Sequence, residues 1–229
     1  MIGTQDSLEG EQGSIMKTYD KFYNRVGKRL IGLALSIPLI IVMLPFYLII
    51  SIAIVLDDGF PIFYRPLRGG YRNRDFRITK FRTMVKNADK IGGSTTADHD
   101  PRITKVGRFL RKTKLDETAN LFNIFLGTMS FVGPRPELLQ YTSQYEGQEK
   151  EILEVRPGIT DYSSLTFINL DEIVGSDDPD AMYEKLVLKK KNALRIQYAE
   201  TVSFSTDVKL FLKTIGAVIK KGSTYLFKN

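Results

Sequence analysis

The sequence predicts an α+β, mainly helical protein attached to one face of a membrane. Three observations carry this: an uncharged apolar stretch near the N-terminus with a proline inside it, two short β-prone runs just after it, and helical periodicity through most of what remains.

The apolar stretch runs from Leu30 to Leu56 without a charge. At 1.5 Å per residue, roughly 20 helical residues cross a hydrocarbon core, so its length suffices for one tilted crossing. Pro45 argues for a different path, because proline lacks an N–H donor and its ring clashes with the carbonyl one turn back. On either side of it, Leu30 to Leu44 and Phe46 to Leu56 are each too short to span alone. Lys21, Arg25, Lys28 and Arg29 precede the stretch and Arg65, Arg68, Arg72 and Arg74 follow it. Positive charge is retained on the cytoplasmic side, so matched flanks favour a re-entrant helix–break–helix with Pro45 as the membrane break. A single-pass anchor with a proline kink is the plainer reading. Pro38 is a second, weaker breaker.

The chain then divides into three. Residues 1–15 are polar and read as a disordered leader or a cloning remnant; residues 16–58 are a cationic lead and the membrane segment; residues 59–229 are a domain on the cytosolic face. The lead is no cleavable signal, since the apolar run is too long and lacks a small-residue cleavage site. A net charge of +7 suits anionic lipid or phosphorylated ligands, and is equally typical of nucleic-acid binders. With no cysteine, a disulfide framework and a Cys-based zinc site are excluded.

Within the domain, Pro61 to Tyr64 and Phe76 to Arg82, separated by Gly69-Gly70, are expected to form a small hairpin. Further on, Thr113 is expected to cap a helix with Asp116 in the capping-box position, Leu115, Ala119, Phe122 and Leu126 on one face, and Gly127 at its end. Asp116 would then sit in a first helical turn, where unpaired N–H groups favour an ionised carboxylate. It is either a nucleophile or a cap, with Glu117 its neighbour. Gly133-Pro134-Arg135-Pro136 and Arg156-Pro157-Gly158 each hold an arginine in a proline-fixed turn. A guanidinium fork suits phosphate oxygens, although either turn serves equally well as a purely structural device. Near the C-terminus, Val208, Phe211, Leu212, Ile215, Val218 and Ile219 repeat at helical spacing among lysines, which fits an amphipathic helix on lipid or one docked on the core. His99, the only histidine, lies between Asp98 and Asp100 and reads as part of a solvated loop.

Together these motifs resemble the bacterial sugar transferase family, the monotopic phosphoglycosyl transferases. The residues that carry the likeness are Lys28-Arg29, Pro45, Lys80-Phe81-Arg82-Thr83-Met84, Leu110-Arg111, Leu115-Asp116-Glu117, Asn123, Met129 to Pro136 and Val155 to Thr160, in order and at similar spacing. The likeness covers about residues 17 to 222, and the short chain is similar to the small, minimal catalytic form. It implies a UDP-sugar donor, a polyprenyl phosphate acceptor in the bacterial inner membrane, UMP as product and Mg²⁺ as cofactor, with the reaction opening a glycan pathway at the cytosolic face. It further implies that Asp116 is the nucleophile of a covalent phospho-sugar intermediate and that Glu117 helps hold the metal. Adjacent helical residues point about 100° apart, so a shared metal explains the pair better than direct proton exchange. Arg111, Arg135 and Arg156 are the candidate phosphate contacts.

The sequence also departs from the family. Leu44 precedes Pro45 where serine is frequent, Thr118-Ala119-Asn120 replaces Leu-Pro-Gln after the acidic pair, and Thr128 stands where aspartate is usual. Asp161 to Phe167 replaces Gly-Trp-Ala-Gln-Val-Asn-Gly. The competing class, a non-enzymatic membrane-anchored basic module binding anionic lipid or nucleic acid, gains nothing from vicinal carboxylates beside proline-held arginines. The reading therefore excludes nucleic acid as partner.

Overall fold

The apolar stretch forms α1, Lys28–Asp58, a single helix of 31 residues. Described here, in a computed structural model, are residues 17–93, 96, 100–175 and 178–226. The expected leader, Met1 to Ile15, and His99 with Asp98 lie outside the described residues.

The expected helix–break–helix is not the backbone observed: α1 continues through both Pro38 and Pro45. A proline costs its helix one hydrogen bond and a ring clash, and a long helix absorbs this where a neighbour holds the rest of it. Both prolines lie on the exposed side. The opposite side carries a stripe, with Tyr47, Ile50 and Ile54 packed on Phe81, Leu110 and Ala119. Ile40 and Met43 pack on Phe76, Leu121 and Ile124. The spacing of this stripe is that of one helical face. On the outer face Ile41, Val42, Leu48, Ile49 and Leu56 remain exposed, and the helix is long and apolar enough to cross a membrane by length and composition.

Both ends of α1 are tied to the domain. At its start, Lys28 is wholly buried and donates to the Val132 carbonyl and to Asp207 Oδ2, each at 2.7 Å, and to the Tyr198 hydroxyl. Arg29 Nη1 donates to the Ile124 carbonyl at 2.8 Å. At its end, Asp57 accepts from the Val106 amide at 2.9 Å and the Asp58 carbonyl accepts from Arg82 at 3.0 Å.

The expected hairpin follows, in two rungs. β1 (Phe63–Tyr64) pairs antiparallel with β4 (Lys80–Phe81), and β2 (Leu67–Arg68) with β3 (Phe76–Arg77). Its tip is a 3₁₀ turn, Tyr71–Asn73, just beyond Gly69-Gly70. After a short α2 (Ala88–Ile91) comes α3 (Lys105–Thr113), capped by Thr104, whose hydroxyl accepts from the Gly107 amide at 2.9 Å.

Thr113 is the last residue of α3 and not the expected N-cap. Lys114 takes a left-handed conformation, φ 59°, that ends one helix and starts the next, while the Thr113 hydroxyl donates back to the carbonyls of Phe109 and Leu110. With its hydroxyl turned backwards no capping box forms. The chain resumes as a 3₁₀ turn, Leu115–Ala119, which runs into α4 (Asn120–Leu126). Gly127, at φ 85°, closes α4 as expected, a conformation that glycine adopts without cost.

β5 (Ser130–Val132) pairs in parallel with β6 (Gly158–Thr160), bringing the two proline-held turns side by side. A Cβ on Gly133 would overlap the Arg156 carbonyl oxygen, and one on Gly158 the Gly133 nitrogen, so this crossing requires both glycines. Between and beyond these strands lie α5 (Leu139–Thr142), α6 (Tyr162–Thr166), α7 (Leu170–Val174), α8 (Pro179–Tyr183), α9 (Lys189–Thr201) and α10 (Phe204–Leu226). α10 docks through Leu210, through Phe211 against Phe131, and through a 2.7 Å contact between the hydroxyls of Thr160 and Thr214. Leu212, Ile215, Val218 and Ile219 stay exposed, so the helix docks on the core with one face and keeps an apolar face outside.

Asp207 accepts from Lys28, Tyr23 and Tyr198, which closes a buried cluster joining the first turns of α1 and α10. Removing one member of a buried pair strands the other charge, at a cost of about 3–5 kcal/mol. Asp207→Ala is therefore expected to destabilise the detergent-solubilised protein by that amount. A denaturation midpoint equal to that of the wild type would refute the assignment.

Candidate active site

A cleft of about 1380 Å³ opens beside the acidic pair, with Lys80, Asp116, Glu117 and Arg135 on its charged floor and Leu39, Met43, Phe211 and Val218 among its apolar lining. Its apolar walls come from α1 and α10, and its floor from β4, the 3₁₀ turn before α4 and the loop after β5.

Local structure places each charged group. Asn123, on α4, accepts from the Thr79 amide at 2.8 Å and donates to the Arg77 carbonyl at 2.8 Å, clamping the hairpin so that Lys80 faces the acidic turn. Thr128, which stands in place of the usual aspartate, accepts from Asn123 Nδ2 at 3.1 Å and donates to the Asn123 carbonyl at 3.2 Å. Its position in this chain is structural. Asp161, which opens the divergent segment, is fully buried and caps α6 by accepting from the Ser164 amide at 2.7 Å.

Glu117 and Asp116 are treated differently. Glu117 is gripped by Lys80, 3.1 Å from Oε1, and by both arms of Arg135, with Nη1 3.0 Å from Oε2 and Nη2 on Oε1. Burial alone would push its carboxyl up, but Arg135 and Lys80 hold it well below the ordinary carboxylate range. Asp116 is buried and its Oδ1 has no hydrogen-bond partner among the described residues. Burial first, then the charge of Glu117, raises its carboxyl above the ordinary value, while Lys80, Lys114 and Arg111 pull it down. The result is a carboxylate that lines the cleft among cations and keeps one buried oxygen unpaired, a group suited to act as a nucleophile or a metal ligand.

Of the sequence-nominated residues, the structure brings Asp116, Glu117, Arg111 and Arg135 together around this cleft. Arg135 meets Glu117 directly, and Arg111, on α3, lines the cleft near Asp116. Arg156 is elsewhere: its Nη1 donates to the carbonyls of Asn24 and Arg25 at 3.0 and 3.2 Å and its guanidinium lies 4.8 Å from the Tyr71 ring centre. Pro45 is on α1, on the exposed face. Lys80 was missed as a site residue, although it stands in the Lys-Phe-Arg-Thr-Met motif, because nothing in a two-residue strand signals its partner.

Among the described residues, no group of three or more His, Asp and Glu side chains converges to hold a metal. Mg²⁺ needs fewer, since it commonly takes one or two carboxylates and completes its shell with waters and substrate phosphates. The unpaired Asp116 Oδ1 beside Glu117 fits that oxygen-only pattern.

Comparison with known proteins adds a finding. Residues 23–221 match the family model described as bacterial sugar transferase. An undecaprenyl-phosphate glucose phosphotransferase of Komagataeibacter xylinus is 31% identical over 200 residues, covering 84% of this chain and 36% of that protein. A UDP-N-acetylgalactosamine-undecaprenyl-phosphate N-acetylgalactosaminephosphotransferase of Aeromonas hydrophila is 29% identical over 214 residues, covering 92% of this chain and 47% of that protein. The exopolysaccharide production protein ExoY of Sinorhizobium fredii is 31% identical over 215 residues, covering 87% of this chain and 88% of that protein. The chain thus spans less than half the length of the first two.

The balance at Asp116 can be tilted through Lys114, which touches neither carboxylate oxygen by hydrogen bond but lowers the Asp116 pKa through space. Lys114→Asn removes that charge and keeps a residue tolerant of the left-handed backbone. The Asp116 carboxyl, already above the ~3.9 of free aspartate, is expected to titrate higher still, so that it is protonated over a wider acid range. Titration of ¹³C-labelled aspartate checks this, and an unchanged or lowered pKa would contradict the electrostatic picture.

Proposed function

The chain belongs to the bacterial sugar transferase family, and from that premise we propose that it is a phosphoglycosyl transferase moving a sugar phosphate from a UDP-sugar to a polyprenyl phosphate, undecaprenyl phosphate above all, at the cytosolic face of the bacterial inner membrane. The observation that carries this reading is the Asp116-Glu117 pair lining one cleft together with Lys80, Arg111 and Arg135 and with apolar side chains of α1 and α10. The relatives' names, which combine undecaprenyl phosphate with a sugar phosphotransferase activity, support the same donor and acceptor classes.

In the proposed reaction a carboxylate oxygen of Asp116 attacks the phosphorus that bears the sugar. The bond from that phosphorus to the bridging oxygen breaks, UMP leaves with the oxygen, and the sugar phosphate remains on Asp116 as an acyl phosphate. An oxygen of the polyprenyl phosphate then attacks the same phosphorus, giving the polyprenyl-diphosphate-sugar and returning the Asp116 carboxylate. Asp116 needs no base, because an ionised carboxylate carries no proton to lose. Glu117 fixes Arg135 and Lys80 at the edge of this path, where their charge meets phosphate oxygens. Mg²⁺, held by Asp116 or Glu117 together with the diphosphate, would supply charge neutralisation for the leaving UMP.

Membrane attachment is proposed to be monotopic. α1 lies with one face on the domain and both ends tied to it, which supports both termini of the helix on one side and its outer apolar face in lipid. The missing hydrogen bonds at Pro38 and Pro45 would let the helix bow as it dips.

Incubating purified protein with undecaprenyl phosphate and a panel of UDP-sugars is expected to release UMP with at least one of them. Asp116→Asn should keep the melting behaviour and lose turnover, and excess EDTA should abolish activity until Mg²⁺ is restored; near-normal UMP release by the variant would refute the covalent route. For topology, single cysteines at Lys21 and Arg68 in this cysteine-free chain should both react with an impermeant thiol reagent in inside-out vesicles and both be protected in intact cells. Labelling of only one of them in intact cells would mean that α1 spans.

A further inference from the structure

A buried ammonium borders the cleft with no salt bridge to a carboxylate among the described residues, although Glu137 and Asp161 attract it through space. Lys191, on α9, is 7% exposed and lines the same cavity as Asp116, Glu117 and Arg135. Its contact is Tyr183, whose hydroxyl is 3.5 Å from Nζ, at the outer limit of a hydrogen bond, and whose ring centre is 4.9 Å away. Glu137, which attracts Lys191 through space, is already engaged by Arg195 Nη2 at 2.9 Å and by the Tyr183 hydroxyl. Burial and then the charge of Arg195 bring the Lys191 pKa down to about 8, with Arg135 acting in the same direction. A buried cation this poorly compensated is costly, and an anionic ligand in the cleft would supply what is missing.

Among the cations that the sequence singled out, Arg111 lines the cleft near Asp116 and the other two are engaged by protein groups. The fork of Arg135 is spent on Glu117, and Arg156 is spent on backbone carbonyls away from the cleft. Lys191 lines the cleft from α9, which packs on α6 in the divergent segment that contributes Ser164, Leu165 and Phe167 to the lining. We propose that Lys191 is a further substrate-binding residue, its ammonium holding a phosphate oxygen of a substrate in the cleft. The shared chemistry is a phosphate anion, which comes either from the donor diphosphate or from the lipid phosphate. The inference rests on the transferase reading above.

The two sources separate in kinetics of the full chain in nanodiscs, with KM measured for the UDP-sugar at saturating undecaprenyl phosphate and for undecaprenyl phosphate at saturating UDP-sugar. Lys191→Met should raise KM about tenfold or more for one of the two substrates, identifying the source, with its thermal midpoint kept. Lys191→Arg should stay within about threefold of the wild type. A folded Lys191→Met with both KM values unchanged, or with a loss confined to kcat, overturns the proposal. Should Lys191→Met not fold, Lys191→Gln, which keeps a donor toward Tyr183 without the charge, gives the same reading. A wild type that turns over no UDP-sugar and binds neither substrate removes the transferase reading, and this inference with it.

Discussion

The structure depends on one constraint: an apolar helix of 31 residues has both of its ends fastened to the same polar domain. Lys28 at one end and Asp57 and Asp58 at the other reach into that domain, and the stripe from Ile40 to Ile54 fills the space between. Each fully buried Tyr, Ile or Phe on such a stripe contributes roughly 1.5–3 kcal/mol, so the contact is strong along its whole length. Ties at both ends favour the proposed attachment, in which both ends of the helix stay on one side of a bilayer. Under the monotopic attachment proposed above, the exposed apolar faces of α1 and α10 would meet lipid together, with the cleft that both helices line open to a lipid phosphate.

The acidic pair gains its chemistry from unequal surroundings. Two neighbouring carboxylates in a buried turn repel, and the structure resolves this by assigning the cations to one of them. Glu117 takes Lys80 and Arg135 and is fixed as an anion; Asp116 keeps an oxygen with no partner. The left-handed Lys114 makes this possible. By ending α3 and restarting the chain as a 3₁₀ turn, it aims Asp116 at the cleft and not along a capping interaction, which would have spent its oxygens on backbone amides.

What the sequence revealed, and what it withheld, follows the range of each interaction. The hairpin, the Gly127 cap, the two proline turns and the C-terminal amphipathic helix are local patterns and were legible as such. The expected Thr113 cap failed because Lys114 adopts a backbone conformation rare outside glycine and asparagine, which no local pattern announces. The expected break at Pro45 failed as a break because a domain far along the chain holds the helix on both sides of it, a tertiary effect that outweighs a local cost. Asp116, Glu117, Arg111 and Arg135 were found through motif order, and the structure gathers them around the cleft. Arg156, in a turn of the same appearance as that of Arg135, instead braces the segment before α1. Nothing local separates a guanidinium that meets a carboxylate from one that meets carbonyls.

The same argument explains why the polar clusters behind the cleft were invisible beforehand. Lys28 and Asp207 are 179 positions apart, and Glu137 and Arg195 are 58 apart. Each cluster buries charge, which is tolerated only where partners are complete. In both, tyrosine hydroxyls complete the shell: Tyr23 and Tyr198 on Asp207, and Tyr183 on Glu137. Glu137 directly follows the Gly133 to Pro136 turn, so its bond to Arg195 ties that turn to α9. Burial alone would raise the Glu137 carboxyl, yet Arg195, the Tyr183 hydroxyl and Lys191 bring it down to about 2, so it remains an anion wherever the protein is folded near neutral pH. With Glu137 fixed by Arg195 and Glu117 by Arg135 and Lys80, Asp116 is the carboxylate of the group left to change partners, as the proposed covalent step requires.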